Sequence, residues 1–147
     1  MKINISIVVT ALFLLSSLYS YSSEVEVPVP TQMKILQKML ESERKLQSVS
    51  NKDVVIGVLY QSDNKTSDKT KRDIFNNVYS KPIKIGSRNA VFIPIPLQKE
   101  NIRDTLAKFH KENSLNVLII TQLRSINYKQ ISNFAVDNGI LTISTNS

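Results

Sequence analysis

The stretch DVVIGVLYQ, residues 53–61, decides the fold of this chain. Its apolar residues follow one another without the alternation of apolar and polar side chains that marks a half-buried strand. A continuous apolar run of this kind is typical of a central parallel strand that is covered by helices on both faces. Gly57 lies in the middle of the run and allows close packing against one face. The run therefore predicts the central strand of an α/β domain.

Three further segments have the composition of strands, and they alternate with segments whose apolar residues recur at helical spacing. The predicted strands are AVFIPI (90–95), LNVLIIT (115–121) and ILTIS (140–144), and the predicted helices cover residues 31–46, 67–79, 101–112 and 127–137. Alternating strands and helices indicate a parallel sheet with right-handed crossovers. We therefore predict a three-layer α/β fold with helices on both faces of an open, mostly parallel sheet of four strands in the order 2-1-3-4.

The first predicted helix is amphipathic. Thr31 is expected to cap it, because a threonine hydroxyl can accept a hydrogen bond from the first turn. Two prolines precede Thr31 and favour an extended segment before the helix. The apolar face is predicted to carry Met33, Leu36, Met39 and Leu40.

Local signals also predict where other elements begin and end. Ser67 or Asp68 is expected to cap the second helix. Residues 83–85 suit either a short edge strand or an extended loop. Because Pro94 cannot donate a backbone hydrogen bond, the 90–95 strand should lie at a sheet edge or end there. Gly139, after Asn138, predicts a left-handed end to the last helix.

The N-terminus has the layout of a secretory signal peptide. A basic start is followed by an almost wholly apolar run at 3–18, and small residues stand at positions −3 and −1 of a cut after Ser22. An uncleaved membrane anchor is the alternative, but this run is short for spanning a bilayer. We expect residues 1–22 to be removed, 23–30 to form an extended lead-in, and 31–147 to form a single domain.

The composition indicates which kinds of partner and which cellular compartment to expect for this chain. The chain has 19 Lys and Arg against 12 Asp and Glu, and it has no cysteine, which rules out a disulfide and a cysteine-linked lipid anchor. No second apolar run of spanning length follows, so we expect an exported, periplasmic protein without an integral membrane segment after cleavage. A nucleic-acid partner is not expected, because no aromatic residues interleave with the basic ones.

The sequence carries no catalytic or cofactor motif. His110 is the single histidine, and without cysteine it cannot form a His/Cys metal site. Three glycines, Gly57, Gly86 and Gly139, are too few and too far apart for G-x-G-x-x-G or a P-loop. We therefore predict no enzyme activity, no catalytic residues, no metal and no cofactor.

Binding residues are expected at the carboxyl ends of the central strands. In open α/β sheets the ligand site lies where the strand order reverses, which here brings the loops 61–66 and 122–125 together. Simple solvation of these loops is the alternative for each residue. The candidate binding residues are Gln61, Ser62, Asn64, Thr66, Lys69, Arg72, Gln122 and Arg124.

Several segments together resemble one protein family. They are MKILQKMLESERKL, DVVIGVLYQ, VFIPIPL, NVLIITQLRSINYKQI and GILTIS, in this order. The chain resembles the YfiR/HmsC family of exported proteins over about residues 33–144. The resemblance implies a small periplasmic regulator that binds the periplasmic domain of an inner-membrane diguanylate cyclase. It further implies that binding represses the cyclase, and with it cyclic-di-GMP signalling and biofilm formation.

The chain departs from the family pattern in two ways. Family members usually continue past the strand that matches ILTIS with more strands and a last helix, so this chain is either a shortened form of the domain or the product of a truncated reading frame. If the tail normally adds strands to the sheet, the chain has an open sheet edge. An open edge invites strand pairing, and a homodimer is one alternative. Some members also carry disulfides, which this chain cannot form, so redox control is not carried over.

Two functions are open on these grounds. The first is the regulator, with a contact surface at the loop 61–66 and the basic helix start 69–72, or alternatively on the amphipathic helix 33–46. The second is a module that binds a small solute in the cleft between the loops 61–66 and 122–125. In the second, Arg124 would pair with an anion.

Overall fold

The computed structural model describes residues 27–48 and 53–145. The predicted signal peptide and the first half of the predicted lead-in, residues 23–26, lie outside the described residues. The elements, in chain order, are α1 (Val29–Ser42), α2 (Arg44–Gln47), β1 (Asp53–Tyr60), α3 (Lys65–Ser80), β2 (Lys84–Ile85), β3 (Arg88–Pro96), α4 (Ile102–Asn113), β4 (Val117–Ile120), α5 (Tyr128–Asp137) and β5 (Leu141–Ser144). No helix within the described residues is both long enough and apolar enough to cross a membrane.

The strands form one mixed sheet in the order β2-β3-β1-β4-β5. β1 lies at its centre and pairs in parallel with β3 on one side and with β4 on the other. β5 pairs in parallel with β4, and β2 pairs antiparallel with the start of β3. The chain is therefore α/β, as predicted.

The predicted sheet of four strands in the order 2-1-3-4 is not confirmed, because the sheet has five strands and is mixed. The additional strand is β2, outside β3. It exists because Gly86 adopts the left-handed conformation, with φ of 62°. This conformation reverses the chain in a tight hairpin, which folds residues 84–85 back onto β3.

Two apolar cores lie on opposite faces of the sheet. The first is covered by α1 and α3, and alternate residues of β1 point into it. The second is covered by α4 and α5 and takes the remaining β1 residues, including Leu59. This arrangement explains why β1 shows no polar alternation. The buried residues that the sheet contributes to the first core are Val54, Ile56, Val58, Ile85, Val117 and Ile119.

The first helix differs from its prediction. α1 begins at Val29 rather than Thr31, and Pro28 occupies the N-cap position. Proline is compatible with this start because the first N–H groups of a helix have no intrahelical partner. Met39 does not join the apolar face, since 53% of its surface is exposed. α1 ends at Ser42, because Glu43 is extended and starts the short α2.

Other local predictions have mixed outcomes. The second predicted helix, α3, begins at Lys65 with Asn64 as its N-cap, so neither Ser67 nor Asp68 caps it. The edge position of Pro94 is confirmed, since among the described residues this part of β3 pairs with β1 alone. Gly139 is left-handed after α5, as predicted.

A substitution at Gly57 tests how tightly the second core is packed. A Cβ atom at this position would lie 2.6 Å from Ile95 Cδ1 and 2.9 Å from Leu118 Cδ2. We expect Gly57→Ala to lower the free energy of unfolding by about 1–3 kcal/mol, because the core is already filled. Urea denaturation measures the change.

A double mutant shows whether the Ile95 contact causes this loss. Ile95→Val removes Cδ1 and alone should cost about 0.5–1.5 kcal/mol. In the Gly57→Ala background the same change should cost less, or restore stability. Additive losses would contradict the proposed clash.

Candidate functional site

The candidate site lies at the carboxyl ends of β1 and β4. These strands are direct neighbours in the sheet, so the loop that follows β1 meets the loop that follows β4. This is also where the chain reverses its direction across the sheet, since β1 connects through α3 to β3 on one side, while β4 lies on the other. Ligands of open α/β sheets bind at such positions.

Gln61 joins the two loops. Its side chain is buried, with 3% of the residue surface exposed. The Nε2 group donates to the carbonyl oxygen of Arg124 at 3.1 Å, and Oε1 accepts from the backbone N–H of Arg124 at 2.6 Å. The amide thus makes a two-point bond to the opposite backbone. Gln61, predicted as a binding residue, is occupied in holding the Arg124 segment in place.

Asn64 makes a second link between the loops. Its Oδ1 accepts from the backbone N–H groups of Thr66 at 3.2 Å and Ser67 at 3.4 Å, which caps α3. Its Nδ2 donates to the carbonyl oxygen of Gln122 at 2.7 Å. Asn64 is also buried. The side chain therefore satisfies the helix start and fixes the loop after β4 at the same time.

A line of hydroxyl groups lies beneath these links. The backbone N–H of Gln61 donates to Ser67 Oγ at 2.9 Å, and Ser67 Oγ lies 2.6 Å from Thr121 Oγ1. Thr121 Oγ1 donates to the carbonyl oxygen of Leu59 at 2.8 Å. Because a hydroxyl group has one proton, the Ser67 hydroxyl is the donor in the bond between Ser67 and Thr121. Both hydroxyl residues are fully buried. The line connects β1, α3 and β4.

Ser67 and Thr121 were not predicted as site residues. The signal in the sequence is weak, because a polar residue at the end of an apolar strand is usually taken as the start of a solvated loop. Only the pairing of β1 with β4 brings Thr121 next to Leu59 and Ser67.

A polar hollow opens above these links. It has a volume of about 570 Å³. Three cationic residues line it, each from a different segment: Lys65 at the first position of α3, Lys99 in the loop after β3, and Arg124 in the loop after β4. Asp63 is its acidic residue. In the described part of the chain, none of these four residues forms a salt bridge. The hollow is lined by Gln61, Asp63, Asn64, Lys65, Thr66, Lys99, Arg124 and Ser125.

The remaining predicted binding residues lie at other positions. Lys69 and Arg72 are on the exposed surface of α3, where they form ion pairs with Asp73 and Asp68. Ser62 lines a neighbouring hollow formed with the start of α4. Gln122 is exposed, and its carbonyl group accepts the bond from Asn64. The structure thus brings Gln61, Asn64, Thr66 and Arg124 together, with Lys65 and Lys99 as additional neighbours.

Charged groups on α3 form a local network. Asp68 bonds to Lys71 at 3.0 Å and to Arg72 at 2.8 Å. The hydrogen bond from Lys71, together with both positive charges, lowers the pKa of the Asp68 carboxyl from its ordinary value of 3.8, although partial desolvation opposes the shift. Lys71 also lies 4.6 Å above the ring centroid of Tyr60. This network anchors α3 to the end of β1.

His110 packs between α4 and α5 rather than at the hollow. Its ring meets Phe134 edge-on at a centroid distance of 6.1 Å. Its Nδ1 atom is buried and has no hydrogen-bond partner among the described residues. No group of His, Asp and Glu residues in the described ranges could hold a metal ion.

An apolar groove lies at a different place, beside the β5 edge of the sheet. It has a volume of about 340 Å³ and is lined by α1, by Ile74 of α3 and by the last two strands. Ile35 and Met39, one turn apart on α1, contribute side chains that are 52% and 53% exposed. In the described ranges no strand pairs with the outer edge of β5. The groove therefore combines exposed apolar surface with an open strand edge.

Comparisons of the chain with protein-family models, with curated proteins and with solved structures give no match. A functional proposal therefore depends on the two surfaces of the molecule and on the sequence patterns. The first surface is the polar hollow at the carboxyl ends of β1 and β4. The second is the apolar groove between α1 and β5.

The buried hydroxyl line makes a prediction for stability. Thr121→Val keeps the shape of the side chain but leaves the Ser67 hydroxyl and the Leu59 carbonyl without this partner. We expect a loss of about 1–3 kcal/mol in the free energy of unfolding, measured by urea denaturation. Thr142→Val, at an exposed position of β5, is the matched control and should change little. Equal effects of both variants would contradict the role of Thr121.

The Asp68 network makes a prediction for pH dependence. Because the pKa of Asp68 is lowered in the folded chain, its charge stabilises the fold above about pH 4, and this contribution is lost as the pH falls through the folded value. Asp68→Asn should lower the melting temperature at pH 7, and the difference from the wild type should shrink in acid. Asp137→Asn, which removes an exposed carboxylate, should not show this pattern. A constant difference at all pH values would argue against the network.

Proposed function

We propose that the chain is an exported regulator that binds the periplasmic domain of a membrane-bound diguanylate cyclase and holds the cyclase inactive. Export through the signal peptide at 1–22 and a periplasmic location are parts of this proposal, as is the absence of enzyme activity. The resemblance to the YfiR/HmsC family suggests the type of partner. The observation that carries partner binding is the apolar groove between α1 and β5.

The groove suits a protein partner because the exposed side chains that α1 contributes to it are apolar. Ile35 and Met39 each expose about half of their surface although they stand on a helix that otherwise covers the first core. Exposed apolar surface that continues into a groove is typical of contacts between proteins. Of the two contact surfaces predicted from the sequence, the one on α1 has this property, whereas the loop surface is polar.

The outer edge of β5, with which no strand of the described ranges pairs, adds a second means of recognition. A strand from a partner can pair with an exposed edge through backbone hydrogen bonds, while its side chains enter an adjacent apolar groove. Leu141 and Ile143 of β5 pack against the first core, on the groove side of the sheet. A partner strand on β5 would therefore extend the sheet and cover the groove together.

The proposal is tested by deletion of the gene followed by measurement of cyclic-di-GMP in the source bacterium. We expect the cyclic-di-GMP level to rise, and complementation with the wild-type chain should reverse the rise. An unchanged level would overturn repression of a cyclase.

Surface variants test the groove itself. Ile35→Asp and Met39→Asp should fail to complement, because a buried carboxylate would oppose the contact. Val136→Asp is the matched control: Val136 is 76% exposed and lies on α5, at the opposite face of the sheet. It should complement fully. Failure of all three, or of none, would contradict the groove as the contact.

A second candidate function is a module that binds a small anionic solute. Its support is the polar hollow, where Lys65, Lys99 and Arg124 converge from three segments. This function needs no partner protein, so it is separable from repression of a cyclase.

A further inference from the structure

We infer that the polar hollow binds a phosphate monoester, with Arg124, Lys99 and Lys65 as the binding residues. This inference deepens the second candidate function and does not depend on the first. The sequence predicted Arg124 as a binding residue and placed Lys65 inside the predicted loop 61–66, whereas Lys99 emerges only from the tertiary structure.

The three cations are available for a ligand. They come from the segments after β1, β3 and β4, and none of them is in a salt bridge within the described residues. By contrast, the nearby cations on α3, Lys69, Lys71 and Arg72, are all paired with carboxylates. Like charges that converge without counter-charges raise the local potential and attract an anion.

The balance of charge in the hollow indicates a dianion. Three cations and one carboxylate, Asp63, leave a formal surplus of two positive charges, since three minus one is two. A phosphate monoester carries a charge of about −1.5 to −2 at neutral pH, which matches this surplus. A monocarboxylate would leave part of the surplus uncompensated. The hollow, at about 570 Å³, has room for the ester group as well.

The chemistry of the side chains fits the same ligand. A guanidinium group binds two phosphate oxygens through parallel N–H donors, and lysine acts as a mobile point charge beside it. The backbone of Arg124 is already held by Gln61, through bonds of 2.6 and 3.1 Å, so the segment needs little ordering on binding.

Side chains must supply most of the donors. The backbone N–H groups of Thr66 and Ser67, in the first turn of α3, are bonded to Asn64 and are not free for a ligand. Binding should therefore depend on the three cations rather than on the helix start, and Asp63 should oppose it. These expectations can be tested one residue at a time.

The test is isothermal titration calorimetry of the purified protein with glycerol 3-phosphate, with glycerol and with succinate. We expect binding of glycerol 3-phosphate alone, and a loss of about tenfold or more in affinity for Arg124→Ala or Lys99→Ala. Asp63→Asn should tighten binding. Lys81→Ala, which removes one exposed positive charge at the end of α3, is the matched control and should change affinity little. Arg124→Ala retains the backbone bonds to Gln61, so the fold should persist.

Two arms distinguish the sources of the phosphate. Sedimentation with phosphatidylcholine vesicles that contain phosphatidic acid tests a lipid head group, whereas glycerol 3-phosphate tests a soluble ester. Binding in either arm supports the inference if Arg124→Ala abolishes or weakens it. The absence of binding in both arms would overturn the inference, and if succinate also fails to bind, the second candidate function is overturned with it. Tighter binding of succinate would overturn the phosphate assignment alone. Equal losses for Lys81→Ala and Arg124→Ala would show unspecific attraction and overturn the site.

Discussion

The structure depends on the burial of β1 on both faces and on both edges. Its alternate side chains enter two separate cores, and its backbone pairs with β3 and β4. A polar side chain in the middle of this strand would have no water and no free partner, which is why the run at 54–59 is apolar throughout. Gly57 follows from the same constraint, because Ile95 and Leu118 occupy the space that its side chain would take.

Where β1 ends, the chain must return to polar contacts while still inside the molecule. Four buried polar side chains make this transition, because each forms hydrogen bonds with another of them or with nearby backbone groups. They are Gln61, Asn64, Ser67 and Thr121. Buried polar groups are stable only when their hydrogen bonds are made, so this network also fixes how the loops after β1 and β4 face each other. The polar hollow is a consequence, because these buried links form its floor and leave the charged side chains at its rim.

The two candidate surfaces are physically distinct. The hollow lies at the carboxyl ends of the strands and is polar, whereas the groove lies over the β5 side of the sheet and is apolar. A regulator that also senses a small anion would need both properties, with one surface for each. The hollow and the groove share no lining residue, so variants of one surface can leave the other unchanged.

The sequence by itself predicted the α/β class, the central strand, the approximate positions of the helices and the two loops that meet at the switch point. These depend on hydrophobic periodicity and on proline and glycine signals, which are local properties. It left residues 83–85 undecided between a short edge strand and an extended loop, because a strand of two residues exists only through its pairing with β3. It placed Met39 on the buried face, although helical spacing cannot show how wide a stripe the neighbouring elements cover.

The candidate site, too, was predicted from the sequence only in part. Gln61, Asn64 and Arg124 were recognised as residues of the right loops, but only the tertiary structure decided that the first two are buried links and that Arg124 remains at the rim. Lys99 and Thr121 were missed because their roles arise from contacts between segments far apart in the chain. The sequence determined which segments are buried, since the spacing of apolar residues shows which positions of a helix or strand face away from water. The tertiary structure alone decided which side chains meet, since that depends on strand pairing across the sheet.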